Sequence, residues 1–166
     1  MTADIKTIAT QARAFLEPVW LVWQHQEARP LTDLPSRQTS GRSSLFLRDA
    51  LRLAGQPAEW INGIPRVTEQ GPVIGDFGFC AGGRWESHAW VTCPGWIVDV
   101  TADQFGAAPV IVTADPDPRY NPRAGEITSA AAIAVPQRAV ARIWPAWLAL
   151  QAGNLAVGQQ KPDGFG

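Results

Sequence analysis

At 166 residues the chain has the length of one domain, and 46% apolar residues with eight tryptophans suffice for one bulky core. A net charge of −1 argues against nucleic acid or an anionic membrane as the main partner, since both require a basic face. The longest apolar runs fall well short of the roughly 18 residues of a membrane span, "MTADIKTIATQ" lacks the basic-then-apolar order of a signal peptide, and Cys80 and Cys93 are too few for a disulfide scaffold. The expectation is a soluble, cytoplasmic domain with reduced thiols.

In chain order, residues 3–17 place Ile5, Ile8, Ala12, Phe15 and Leu16 at helical spacing. Pro18 is expected to kink this helix or to open a second one through Val19, Trp20, Leu21 and Trp23. "EARPLTDLPSRQTS" reads as a loop. A helix begins at Ser40, capped by Ser40 or Thr39 and ended by Gly55, and it is apolar on most sides, as a buried helix is. "AEWINGI" reads as a strand, and residues 66–83, rich in glycine, as a loop with at most one short strand. The stretch around Gly75–Gly83 has the composition of a mobile flap over the cleft, and equally of a long, tolerated surface loop. "RWESHAWVTC" and "WIVDVTA" read as strands joined by Pro94-Gly95, with "APVIVT" another. "DPDPRYNPRAG" reads as an exposed loop, and "QRAVARIWPAWLALQ" as a closing helix broken or kinked at Pro145. The predicted class is α+β, with one domain over residues 1–153 and a frayed tail over 154–166.

A two-residue Pro94-Gly95 turn sets Cys93 opposite Trp96, so His88 falls opposite Thr101 and Trp90 opposite Asp99. By strand alternation His88, Trp90, Thr92, Ile97, Asp99 and Thr101 share one face. The other face, Ala89, Val91, Cys93, Trp96, Val98 and Val100, is wholly apolar and belongs to the core. His88 and Asp99 then lie diagonally on neighbouring strands, where the carboxylate can fix one imidazole nitrogen and leave the other as a base.

With "LRLAGQPAEWING" at 51–63, "HAWV" at 88–91 and "DVT" at 99–101, the chain resembles the transglutaminase-like superfamily, relatives of the papain-like cysteine peptidases. The resemblance covers residues 36–106. It implies a buried helix with the nucleophile at its N-terminus, packed on an antiparallel sheet, and a covalent acyl-enzyme. His88 would be the base and Asp99 its orienting carboxylate. Ser40 falls at the position of the family's catalytic cysteine, with Ser44 at a small position four residues on.

A helix N-terminus and a neighbouring imidazolium make a thiolate of cysteine at neutral pH, whereas a serine hydroxyl is too basic to ionise that way. Ser40 therefore reads as a cysteine replaced to silence the enzyme, as a pseudoenzyme, or as a working serine variant, and its plain alternative is a helix cap. In the resemblance its oxygen points towards His88. Gln38 is a candidate for the oxyanion hole, Trp90 for shielding the site or packing, and Gln104 for bonding near Asp99 or fixing the turn. Cys93 should be a packed, inert thiol, and Cys80 a remote alternative nucleophile. His25, His88, Cys80 and Cys93 lack zinc-type spacing, so no metal or cofactor is expected. The expected ligand is a peptide or small amide. A dead member that binds through the same cleft is the second reading, and an oligomer interface through exposed Trp144 and Trp147 the third.

Overall fold

The computed structural model describes residues 2–30, 33–63, 67–72, 75–122 and 130–159. Three helices, α1 (Thr2–Gln26), α2 (Ser40–Leu53) and α3 (Ala130–Gln159), accompany antiparallel sheets, so the class is α+β. The strands are β1 (Glu59–Gly63), β2 (Val67–Thr68), β3 (Gly71–Pro72), β4 (Gly78–Ala81), β5 (Arg84–Glu86), β6 (His88–Cys93), β7 (Trp96–Asp99), β8 (Ile111–Ala114) and β9 (Tyr120–Asn121). The main sheet runs β1-β6-β7-β8, a smaller one runs β5-β4-β9, and β2 pairs with β3.

α1 is one helix through Pro18, not two. Its buried stripe of Ile5, Ala9, Ala12, Leu16, Trp20 and Trp23 keeps the same phase on both sides of the proline. Burial of that stripe outweighs the lost bond to the Ala14 carbonyl, a cost of about 3 kcal/mol in an interior helix. α3 likewise runs unbroken past Pro136 and Pro145 as far as Gln159, so residues 154–159 are helical and not a frayed tail. The remaining residues of that expected tail lie outside the described ones.

The main core lies between the helices and one face of the main sheet. Phe46 of α2 stacks on Phe15 and meets Trp144 and Trp147 edge-on, with centroids 5.2–5.8 Å apart. Val91, Val98 and Val100 close the same cluster from the sheet. Trp147 is 2% exposed and Trp144 half-buried, so neither offers the open surface that an interface reading required.

The β6–β7 hairpin has the expected register, Cys93↔Trp96, Thr92↔Ile97 and Val91↔Val98. Gly95 occupies the turn with φ +79°, which L side chains adopt at a cost. β7 ends at Asp99, short of the strand expected to run to Ala102, and Ala102–Phe105 forms a 3-10 turn. The single strand expected over 84–93 is two, because Ser87 separates β5 in the smaller sheet from β6 in the main one. The sheets approach so closely that a Cβ on Gly63 would lie 2.7 Å from the Cα of Gly78 and 2.8 Å from the ring of Trp90. Only glycine allows that approach. Among the described residues, no helix is long and apolar enough to cross a membrane.

Candidate functional site

His88 opens β6 and is paired with Gly63 at the end of β1. It is fully buried, 0% exposed, under the rings of Phe79, Phe105 and Trp90 at centroid distances of 5.1–6.2 Å. Its Nε2 lies 2.6 Å from Asp99 Oδ2. Asp99, 1% exposed, also accepts from the Thr101 N–H at 2.9 Å, the Thr101 hydroxyl at 3.3 Å and the Tyr120 hydroxyl at 3.0 Å. Burial pushes the Asp99 carboxyl up, but His88 and these donors outweigh it and hold the group below the ordinary carboxylate range. An ionised carboxylate only accepts, so the imidazole proton sits on Nε2. Nδ1 is then left buried with no hydrogen-bond partner. Such an atom carries an unmet desolvation cost, which a reacting group would relieve.

Ser40 is the first residue of α2, half-buried. Thr39 precedes the helix, but its hydroxyl donates to the Ser36 carbonyl at 2.7 Å and caps nothing. Ser43 N–H is the first to bond back, to Thr39, so the N–H groups of residues 40–42 have no intrahelical carbonyl. That end of the helix suits a developing negative charge. Ser44 donates to the Ser40 carbonyl and accepts from the indole of Trp60 at 2.8 Å, which pins the first turn to β1. No hydrogen bond joins the Ser40 hydroxyl to His88 Nδ1.

The helix start is nevertheless tied to the dyad. Gln38, with φ +61°, donates its backbone N–H to Gln104 Oε1 at 3.3 Å, and Gln104 Nε2 donates to the Thr101 carbonyl at 2.9 Å. Thr101 in turn holds Asp99. Gln104 therefore links the loop before α2 to the carboxylate, a larger part than fixing its own turn. A non-glycine residue in the left-handed region costs on the order of 1 kcal/mol and is found at functional turns. Beside it opens a cleft of about 630 Å³, lined by Gln38, Gln104, Phe105, Ser87, Arg37 and Arg84 among others.

Comparison with protein-family models, with curated proteins and with solved structures finds no match. The resemblance rests on the motifs alone.

Trp90 is 1% exposed and packs on His88 and Tyr120, so it covers the dyad from within and presents nothing to a ligand. The expected flap is no flap. Gly78–Ala81 is β4, bonded to β5 on one side and β9 on the other. Phe79 faces His88, so alternation turns Cys80 away from the site. Burial pushes the Cys93 thiol up, as suits a packed one. Among the described residues, no group of three or more His, Cys, Asp or Glu could hold a metal.

Tyr120 was missed. It lies in "DPDPRYNPRAG", read as exposed loop, of which residues 123–125 fall outside the described ones. Asp117 and Tyr120 of that stretch are buried. The Asp117 carboxylate accepts from Arg119 N–H and guanidinium and from Thr113, and so folds the turn that delivers Tyr120 to Asp99. The available signal was that this is the chain's one tyrosine, set in a run otherwise without aromatics.

Proposed function

We propose that the chain carries the framework of a transglutaminase-like thiol acyl-transfer enzyme of papain-like fold, with Ser40 at the nucleophile position. His88 is its base and Asp99 the carboxylate that orients the base. One observation carries this reading: a buried imidazole with Nε2 committed to Asp99 and Nδ1 unpartnered, tied through Thr101 and Gln104 to the start of α2.

With cysteine at position 40, the thiolate would attack the carbonyl of a peptide or small amide. The tetrahedral oxyanion would be met by N–H groups of the first helical turn, with Gln38 beside them. Imidazolium would give its proton to the departing amine, leaving a thioester. Water or a second amine, deprotonated by His88, would then take the acyl group and restore the thiol. Gln104 keeps the Gln38 loop in register with the dyad. No metal or cofactor enters this scheme. The net charge of −1 suits an amide ligand better than a nucleic acid or a membrane surface, and the free Cys80 and Cys93 fit a reducing cytoplasm.

With serine at 40, attack requires Nδ1 to take the hydroxyl proton, and no hydrogen bond prepares that transfer. The same fact favours the second reading, a catalytically silent protein that binds the amide ligand in the cleft without turning it over.

The test is Ser40→Cys. Its alkylation rate, followed against pH with the modified residue mapped, should hold a plateau well below the free-thiol pKa of about 8.5, and His88→Ala should abolish the plateau. A residue 40 that reacts as an ordinary thiol with or without His88 would leave Ser40 as a helix cap only.

A further inference from the structure

We infer that Tyr120 is a positioning residue of the His88–Asp99 dyad, its phenol holding the Asp99 carboxylate ionised and aimed at Nε2. The inference rests on the proposed use of His88 as the base.

Asp99 Oδ2 is shared by two donors, His88 Nε2 at 2.6 Å and the Tyr120 hydroxyl at 3.0 Å, while Oδ1 takes both donors of Thr101. A protonated carboxyl would set its own O–H against one of these donors, so the arrangement selects the carboxylate. The phenol in turn stays protonated, because burial and the adjacent Asp99 charge both push it far above its ordinary range. It can only donate here.

The ring cannot swing away. It meets Phe79 and Trp90 at steep angles with centroids 5.1 and 5.2 Å distant, and β9 pairs Tyr120 with Phe79. The Tyr120 N–H bonds the Asp117 carbonyl at 3.0 Å. The Arg119 guanidinium sits over the ring at 5.9 Å, paired with Asp117. Among the described residues, His88, Tyr120 and Arg119 are charged or titratable groups that interact with Asp99, Asp117 acts on Tyr120, and His88 and Tyr120 bond the same Asp99 oxygen. A ring wanted only for packing could be phenylalanine, which fills the same volume and leaves Oδ2 with one donor.

The experiment reads the low-field proton of His88 Nε2 by nuclear magnetic resonance, and the low-pH alkylation rate in the Ser40→Cys background. Tyr120→Phe should shift that proton and speed its exchange with water about tenfold, the size expected for losing one hydrogen bond to a charged group. It should also slow alkylation on the low-pH plateau about tenfold. Because the chain has one tyrosine, growth on fluorotyrosine alters this phenol alone and makes it a stronger donor. The proton should then move in the opposite sense, and this arm serves if Tyr120→Phe does not fold. An unmoved proton and an unchanged plateau in folded protein would overturn the inference and leave Tyr120 a packing residue. Loss of the plateau in Asp99→Asn, with a plateau of undiminished rate in Tyr120→Phe, would sink Tyr120 while the dyad stands. If His88→Ala also leaves the plateau intact, the base reading falls, and the proton shift still decides what Tyr120 does.

Discussion

The two faces of the β6–β7 hairpin share the same strands and turn, yet they are stabilised in different ways. On one face Ala89, Val91, Cys93, Val98 and Val100 join a core cluster with residues of the three helices described, and burial of apolar area does the work. On the other, His88, Trp90, Ile97 and Asp99 meet the small β5-β4-β9 sheet, where a ring of aromatics encloses a hydrogen-bonded imidazole and carboxylate. The first face tolerates exchange among apolar side chains of similar volume. The second depends on named donors and acceptors, because a buried charge is stable only while its partners stay in place. Apolar packing and the polar candidate site are thus divided across one sheet by the two-residue period of the strand.

Breaking the first face should have the largest effect. Phe46→Ala removes a fully buried ring stacked between Phe15 and the tryptophans of α3, and should cost about 3–5 kcal/mol in denaturant unfolding. Native protein that remains should keep the His88–Asp99 hydrogen bond, read from its low-field proton. Loss of that proton under native conditions would show the two faces to be coupled.

A change where the two sheets meet should cost less but reach the site. Gly63→Ala puts a methyl against Gly78 and Trp90, and overpacking of this kind costs about 1–3 kcal/mol. Unlike Phe46→Ala, it should disturb the rings over His88 and move its Nε2 proton. An unchanged spectrum would mean that the smaller sheet yields without consequence for the dyad.

The smallest effect belongs to Asp117. Hydrogen bonds from Arg119, acting against burial, lower its carboxyl from 3.8 to about 2. A folded pKa below the unfolded one gives stability that is complete above about 3.8 and lost as pH falls towards about 2. Asp117→Asn should therefore cost on the order of 1 kcal/mol at neutral pH, given the part-exposed arginine, and lose less further stability between those two pH values. Comparing unfolding free energies of the two proteins across that range isolates this residue, since Asp99 contributes equally to both. Equal slopes would show the turn that carries Tyr120 to be held by its backbone alone.

Much of this was legible beforehand. The hairpin register followed from Pro94-Gly95 and strand alternation, and the split into an apolar and a polar face followed from the register. The start of α2 at Ser40 was legible too, as was the pairing of His88 with Asp99, because both are local consequences of period and turn chemistry. A break at Pro18 or Pro145 did not occur, since a breaker is a local signal, whereas the buried stripe that carries α1 past Pro18 is set by its tertiary partners.

By itself the sequence determined the α+β class, the hairpin, the helix that opens at residue 40 and the residue types brought to one sheet face. Each depends on periodicity or on a turn of a few residues. The tertiary structure alone decided that residues 78–81, within a glycine-rich stretch, are a paired strand, that Cys80 faces away, that Trp90 is sealed in, and that Tyr120 reaches Asp99. Strands of two to four residues have too little pattern of their own to be read, and their backbone groups are satisfied only by partners far along the chain. A tyrosine in a proline-rich turn is likewise a loop residue until a buried carboxylate lies within reach of its hydroxyl.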